Sequence, residues 1–314
     1  MLRSTCSACV TFKGSTCSGS VRQGLRPACV RQLTPEHGSL PHPRRTTRSA
    51  RRRGETPMAT PTLGFIGSGN IGTSLARLAI AAGIDVVLSN SRGPESLAAT
   101  VADLGERARA ATPEEAARAG DLVVVSIPLA PYRSLPAPAL AGKVVLDTIN
   151  YYPMRDGHFE VLDSGRITTS ELLQEHLAGA KLVKAFNNIS DVHITALARP
   201  AGAADRTALP IAGDDPQAKA SATDLIGRLG FDTVDAGPLT ESWRFEPETD
   251  PYAAPYFADP DTLRTYVIQV GEDFRAGNPP RPLPADPGAP LPAPRLRALL
   301  TGTPRKLTAD RVVA

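Results

Sequence analysis

From residue 63 onward, short runs of β-branched and other apolar residues alternate with Ala-rich stretches whose apolar positions recur every three or four residues. That alternation is produced by βαβ units arranged around a parallel sheet. Leu63 to Ile66 predicts a first strand, and residues 71–82, apolar at 71, 75, 78, 79 and 82, predict the helix after it. Residues 84–89 read as strand two, 94–104 as helix, and 108–111 as a short third strand. A helix over 113–119 is announced by Thr112 and Glu115, the spacing of a capping box. Leu122-Val-Val-Val-Ser126 has the character of a central strand buried on both faces, and 143–147 is the next strand. A second set follows: helix 169–177, strand 181–185, helix 191–198, strand 209–212, helix 216–229, strand 233–235 and a last helix at 262–274. Eight of the nineteen residues from Ala276 to Pro294 are Pro, which predicts an extended or disordered stretch with a tail beyond it.

Charge divides the chain in two. The overall +3 combines residues 1–57, with eleven Lys/Arg against Glu36 and Glu55 (+9), and the remainder, with 24 basic and 30 acidic residues (−6). The part able to fold is therefore acidic, which removes nucleic acid as its expected partner. The four cysteines (Cys6, Cys9, Cys17 and Cys29) all lie in the basic part, so no thiolate metal site or disulfide is expected in the rest. The spacing of His158, His176 and His193 is not that of metal ligands, and they read as surface or capping residues. No run of eighteen apolar residues exists, so no membrane span is expected. The leader lacks the apolar core of an export signal, giving an expectation of a cytoplasmic protein. Met58, just ahead of the first strand, reads as a natural start, with 1–57 as upstream sequence or, alternatively, a transit segment.

The chemistry is announced by Gly67-Ser68-Gly69-Asn70-Ile71-Gly72, placed directly after strand one and opening the first helix. In that context the pattern is a dinucleotide-binding turn. Gly67 permits the tight turn, Gly69 lets the backbone approach a pyrophosphate, Gly72 lets helix and strand pack closely, and the helix N-terminus faces the phosphates. At the end of strand two, where an NAD enzyme places an acid against the ribose, the chain reads Asn90-Ser91-Arg92. Arg92 can pair with a 2′-phosphate and Ser91 or Asn90 can donate further hydrogen bonds, so NADP(H) is the expected cofactor. Ser126, Ile127 and Pro128 end the central strand and Asn150 follows the next, which places them at the nicotinamide side of an open sheet. Asn187 and Asn188 leave the following strand toward the same crevice, as candidates for a second-substrate pocket.

Residues 62 to about 257 resemble the NADPH-dependent coenzyme F420 oxidoreductase family, which includes the F420:NADP oxidoreductases and the related domain of transmembrane metalloreductases. The resemblance is carried by 63–72, Ser91-Arg92, 140–147, Leu182-Val-Lys-Ala-Phe-Asn-Asn-Ile189, Pro210-Ile-Ala-Gly-Asp-Asp215 and 230–237. It implies an α/β, Rossmann-type, doubly wound parallel sheet with a small C-terminal α/β extension. It also implies hydride transfer between NADP(H) and a deazaflavin (coenzyme F420) or flavin-like acceptor, and a homodimer. The division expected is a leader over 1–57, an NADP-binding core over 58–150, the rest of the domain and the pocket over 151–275, and a Pro-rich tail over 276–314. Hydride transfer between stacked rings depends on positioning, so no catalytic side chain and no metal are assigned. The loop 240–257 departs from the family's ending and contains Trp243, a candidate either to stack on the second substrate or to plug the core or a dimer interface. Two alternatives stand. Lys184 and Asn188 mimic the catalytic spacing of hydroxyacid dehydrogenases and the opening motif also suits imine or pyrroline reductases, although Lys184 falls in a strand, where it reads as a solvated end residue. A non-catalytic NADPH-sensing module is the other.

Overall fold

The computed structural model describes residues 61–279 and 281–308. The expectations for residues 1–57, cysteines included, lie outside them. Among the described residues eight strands form one sheet: β1 (Thr62–Ile66), β2 (Asp85–Ser89), β3 (Ala108–Ala110), β4 (Leu122–Val125), β5 (Val144–Asp147), β6 (Lys181–Lys184), β7 (Ala208–Gly213) and β8 (Asp232–Asp235). Their order is β3-β2-β1-β4-β5-β6-β7-β8. Every pairing is parallel except β6 with β7, which meet antiparallel through Val183 with Gly213 and Lys184 with Ala212. The expected Rossmann-type sheet is thus present, and its C-terminal extension continues the same sheet. The strand order reverses between β1 and β4, opening a crevice at their carboxyl ends.

Helices cover both faces: α1 (Asn70–Ala81), α2 (Ala98–Leu104), α3 (Pro113–Ala119), α4 (Ala137–Leu140), α5 (Pro153–Asp156), α6 (Glu160–Asp163), α7 (Thr169–His176), α8 (Asp191–Ala196), α9 (Pro216–Arg228), α10 (Pro260–Ala276) and α11 (Ala293–Gly302). Successive residues of a strand point to opposite faces, so a central strand must be apolar throughout. Val124, Leu146 and Val183 accordingly join one core with α1, α8 and α9, while Val123, Val125, Val145 and Leu182 join a second core with α7. Two capping boxes start helices: Thr112 with Glu115 opens α3, and Thr168 with Glu171 opens α7. Each contributes about 1 kcal/mol by satisfying backbone donors the helix leaves free.

The stretch between Ala276 and Ala293 is extended, one of the two expected states, but the tail expected beyond it is instead helix α11, packed on the sheet. Leu291, Leu296 and Leu300 are buried, and α11 packs on β7 and β8. The N–H of Ala208, at the start of β7, donates to the Leu291 carbonyl at 2.7 Å. Pro breaks a helix interior but is tolerated in its first turn, and Pro294 stands in the first turn of α11. The extended segment before it is held by Asp286, whose carboxylate accepts from the N–H groups of Ala258 and Gly288 and from His193 Nε2 at 3.0 Å. Burial pushes the Asp286 pKa up, but these donors outweigh it and hold the carboxyl below its ordinary value. His193, expected at the surface, is fully buried with its ring edge-on to Phe257.

Lys184 also departs from expectation. It is 0 % exposed. Its ammonium donates to the Ile149 carbonyl at 2.7 Å and lies 3.4 Å from Asp147 and 3.7 Å from Glu246. Asp147 in turn accepts from Ser170 Oγ and the Ile149 N–H, and Glu246 accepts from the Thr169 N–H and Ser242 Oγ. Strand pattern places an end residue in water, but here the loop after β8 folds over the end of β6 and seals it.

Lys184→Met leaves two buried carboxylates without their cation and is expected to lower unfolding free energy by about 3–5 kcal/mol in urea titrations. Leu296→Ala, by emptying the contact between α11 and the sheet, is expected to cost about 2–5 kcal/mol in the same measurement; a free tail would show no change.

Candidate functional site

The turn after β1 is built by close contacts that only glycine allows. Gly67 has φ +108°, and a Cβ there would sit 2.0 Å from the Ser126 carbonyl oxygen. A Cβ at Gly72 would lie 2.3 Å from the Gly67 carbonyl oxygen. Helix α1 therefore rests directly on the turn, and the turn on the end of β4. Gly69 is different, because a Cβ at this position meets no protein atom within 4 Å. It is the N-cap of α1, with no capping side chain and no acid in the first turn. An uncapped helix start beside an open backbone approach suits an anion, since free N–H groups and the helix dipole both favour negative charge. The residues present thus fit a pyrophosphate.

Beside this turn, the loop after β2 is shaped by Asn90. Its Oδ1 accepts from the Arg92 N–H at 2.9 Å and its Nδ2 donates to Ser96 Oγ at 2.8 Å. Asn90 thus helps to hold the loop with its carbonyl oxygen and one of its two amide N–H donors. Ser91 and Arg92 are exposed, and no carboxylate pairs with the Arg92 guanidinium among the described residues.

A cavity of about 510 Å³ lies at the carboxyl ends of the central strands. Asn70 and Ile71 line it from the turn before and the start of α1, Ser126, Ile127 and Pro128 from the end of β4, and Thr148, Asn150, Tyr152 and Arg155 from the segment after β5. The wall opposite contains Phe186 to Asp191, Tyr252 and Ala253, with Leu263, Tyr266 and the segment 281–283 closing it. Phe186 and Ala253 both have positive φ, at 57° and 50°, and the Ala253 N–H donates to the Asn188 carbonyl. Backbone strain of this kind, of order 1–3 kcal/mol per residue, persists where surrounding contacts over-determine it.

The amides are mostly spoken for. Asn187 Nδ2 donates to the Phe245 carbonyl at 2.8 Å and to Asn150 Oδ1 at 3.0 Å, while Asn150 Nδ2 donates to the Asn187 carbonyl at 2.7 Å and to Tyr252 Oη at 3.1 Å. Asn188 Nδ2 donates to the Pro251 carbonyl and to Tyr256 Oη. The two asparagines line the cavity as expected, but their side-chain donors brace its walls. Buried Oδ1 atoms of Asn187 and Asn188 accept no hydrogen bond from the described residues. Trp243 is not among the cavity residues; its ring lies under the guanidinium groups of Arg244 and Arg305, at 4.6 and 5.5 Å. The pair Lys184 and Asn188 is likewise not assembled in the cavity, because Lys184 is sealed beneath it.

Tyr152, Arg155, Tyr252 and Tyr266 are among the cavity residues that the sequence pattern does not single out. Two of them could have been found: Tyr152 follows Asn150 closely, and Tyr252 stands in the same aromatic loop as Trp243. The hydroxyls of Tyr152 and Tyr252 are hydrogen-bonded to each other, and the Arg155 guanidinium lies 4.9 Å from the Tyr152 ring centre. Burial raises the pKa of both phenols, that of Tyr252 well above the usual value, while the Arg155 charge works in the opposite direction.

The glycine contacts separate folding from binding. Gly72→Ala is expected to cost about 1–3 kcal/mol of stability by overpacking. Gly69→Ala should change stability by no more than about 1 kcal/mol, yet weaken NADPH binding at least about tenfold, since only the approach to phosphate is obstructed. Thermal melts and NADPH fluorescence titration of both variants check this.

A family model described as NADP oxidoreductase, coenzyme F420-dependent, matches residues 62–151. The chain is similar to the metalloreductase STEAP3 of Rattus norvegicus, 31% identical over 224 residues, covering 70% of this chain and 40% of that protein. It is also similar to the protein YjhV of Escherichia coli strain K12, 39% identical over 77 residues, 24% of this chain and 56% of that one. It therefore spans about half, or less, of the length of these two relatives. Among solved structures, the hypothetical protein SMa0349 of Sinorhizobium meliloti is 29% identical with a TM-score of 0.55, covering 62% of this chain and 93% of its own. A candidate F420-dependent NADP-reductase from Arthrobacter sp. FB24, 21% identical with a TM-score of 0.50 over 70% of this chain and 96% of that one, shares the fold. Open glycine turn, strand order and sequence match agree over residues 62–151, the part of the chain that matches the model of the coenzyme F420-dependent NADP oxidoreductase family.

Proposed function

We propose that this chain binds NADP(H) across the turn Gly67 to Gly72 and transfers a hydride between its nicotinamide and a deazaflavin or flavin-like acceptor held in the cavity. The observation that carries the reading is the open face of Gly69 at an uncapped helix start, continuous with a strand-end cavity. The pyrophosphate would rest on the first N–H groups of α1, the 2′-phosphate against Arg92 and Ser91, and the nicotinamide against Ser126, Ile127 and Pro128. When bound, the cofactor supplies the hydride. The chain's own work is to hold the two rings face to face and keep water out, which is where proximity lowers the barrier.

The cavity is of the size that small-molecule sites have, with apolar walls from Ile127, Phe186 and Leu263 and a few fixed polar groups. Charge near the adenosine end sets cofactor choice. An exposed arginine without a carboxylate partner attracts a phosphate dianion, and a ribose hydroxyl gains less from it.

Wild-type protein is expected to bind NADPH more tightly than NADH and to oxidise it with coenzyme F420 or FMN. Arg92→Ala should weaken NADPH by about tenfold to a hundredfold and leave NADH nearly unchanged, consistent with a charge-assisted hydrogen-bonded pair. Titration of both reduced cofactors against both proteins reads this directly. Equal losses for the two cofactors would remove the 2′-phosphate contact, and absence of oxidation with either acceptor would remove the hydride reading.

A further inference from the structure

We infer that Tyr152 is the proton donor to the acceptor, so that the site selects conjugated acceptors in which an arriving hydride drives negative charge onto a ring nitrogen or a carbonyl oxygen. The inference rests on the hydride reading above and adds a catalytic side chain to it.

A chain of hydrogen bonds whose direction is set at one end carries the inference. The carbonyl of Phe245 can only accept, so the Asn187 atom 2.8 Å from it is the amide nitrogen. The same nitrogen donates to Asn150 Oδ1, which turns the Asn150 nitrogen toward the Asn187 carbonyl and Tyr252 Oη. Tyr252 therefore accepts from Asn150, which leaves its own hydroxyl proton available for the hydrogen bond with Tyr152. Tyr152, having accepted that proton, has its own hydrogen to give, and it lines the cavity. A row of aligned donors of this kind polarises the last member and makes it a stronger donor.

Two further features suit the role. Arg155 lies over the Tyr152 ring and eases the formation of a phenolate there, while its guanidinium stays fixed by Asp156 and the Asn150 carbonyl. The charged and titratable groups around Tyr152 are Arg155 and Asp156 on α5 and Tyr252 on the facing loop, with Asp191, Tyr266 and Arg281 elsewhere on the cavity wall. Burial is the largest influence on the phenol and raises its pKa, while the Arg155 charge and the hydrogen bond with Tyr252 act in the opposite direction.

The step balances. The acceptor gains a hydride from the nicotinamide and a proton from Tyr152, and is reduced by two electrons as the nicotinamide is oxidised. The Tyr152 O–H bond breaks as an N–H or O–H bond forms on the acceptor. The phenolate is held by the Tyr252 hydroxyl and by Arg155 until solvent returns a proton.

The test uses the full chain, with coenzyme F420 and FMN as acceptors. Tyr152→Phe should lower kcat by about 100-fold or more, the range a positioned acid supplies, with the NADPH dissociation constant within about twofold of wild type. It should also abolish the solvent deuterium isotope effect on kcat. Independently of turnover, the dissociation constant of FMN from the NADP⁺-bound protein should rise about threefold to tenfold, the size of one lost hydrogen bond. Tyr252→Phe, which keeps the donor but removes its polarising partner, should lower kcat by about threefold to tenfold and keep the isotope effect; it carries the test if Tyr152→Phe melts early. Wild-type turnover with Tyr152→Phe within threefold of it would overturn the acid role and leave the hydride reading standing. Binding of NADPH without oxidation by wild type would instead overturn both.

Discussion

A lysine ammonium taken wholly out of water must be met by opposite charge and by acceptors, and the structure around the cavity is arranged by that requirement. Lys184 at the end of β6 draws together Asp147 at the end of β5, Glu246 from the loop after β8, and the Ile149 carbonyl. Through Asp147 and Glu246 the same cluster reaches Ser170 and the Thr169 N–H at the start of α7. Four segments distant in sequence are thereby fixed at one point beneath the cavity floor. Such a cluster gives geometry more surely than net stability, because desolvation offsets much of the Coulomb attraction.

On that base the cavity wall is assembled from backbone held in conformations it would not adopt alone. Phe186 takes a positive φ immediately after β6, and Asn187 and Asn188 then face the loop that ends in Ala253, itself at positive φ. The amide network from Phe245 through Asn187 and Asn150 to Tyr252 crosses between these segments with every donor assigned. Rigid polar walls of this type suit hydride transfer, where a small misplacement of two rings costs much of the rate. The opposite side is simpler: the glycine turn packs so closely that Gly67 and Gly72 leave no room for a side chain, and Gly69 alone faces outward.

The strands and the glycine turn were legible in the sequence because each rests on local physics. Buried parallel strands must be apolar on both faces, capping boxes follow a fixed spacing, and a glycine pattern between a strand and a helix has few other uses. The cavity wall opposite the turn was read less well. Trp243 drew attention as the largest aromatic of its loop, yet two arginines cover its ring, and Tyr252, nine residues on, reaches the cavity. Choosing between them depends on how the loop folds over β6, which no local pattern encodes. The same holds for the end of the chain, whose proline-rich composition reads as an extended or disordered stretch and a tail, although Leu291, Leu296 and Leu300 are buried there and α11 packs on β7 and β8.

By itself, the sequence determined the layered α/β architecture, the place of the glycine turn and the absence of an acid beside Arg92, because these are matters of periodicity and of short motifs. Only the tertiary structure decided that Lys184 is an interior cation, that His193 and Asp286 anchor the C-terminal segment, and that Tyr152 and Tyr252 meet inside the cavity. Each of those outcomes joins residues about 40 to 100 positions apart. Burial and hydrogen-bond direction are properties of such encounters, and they arise when the chain closes on itself.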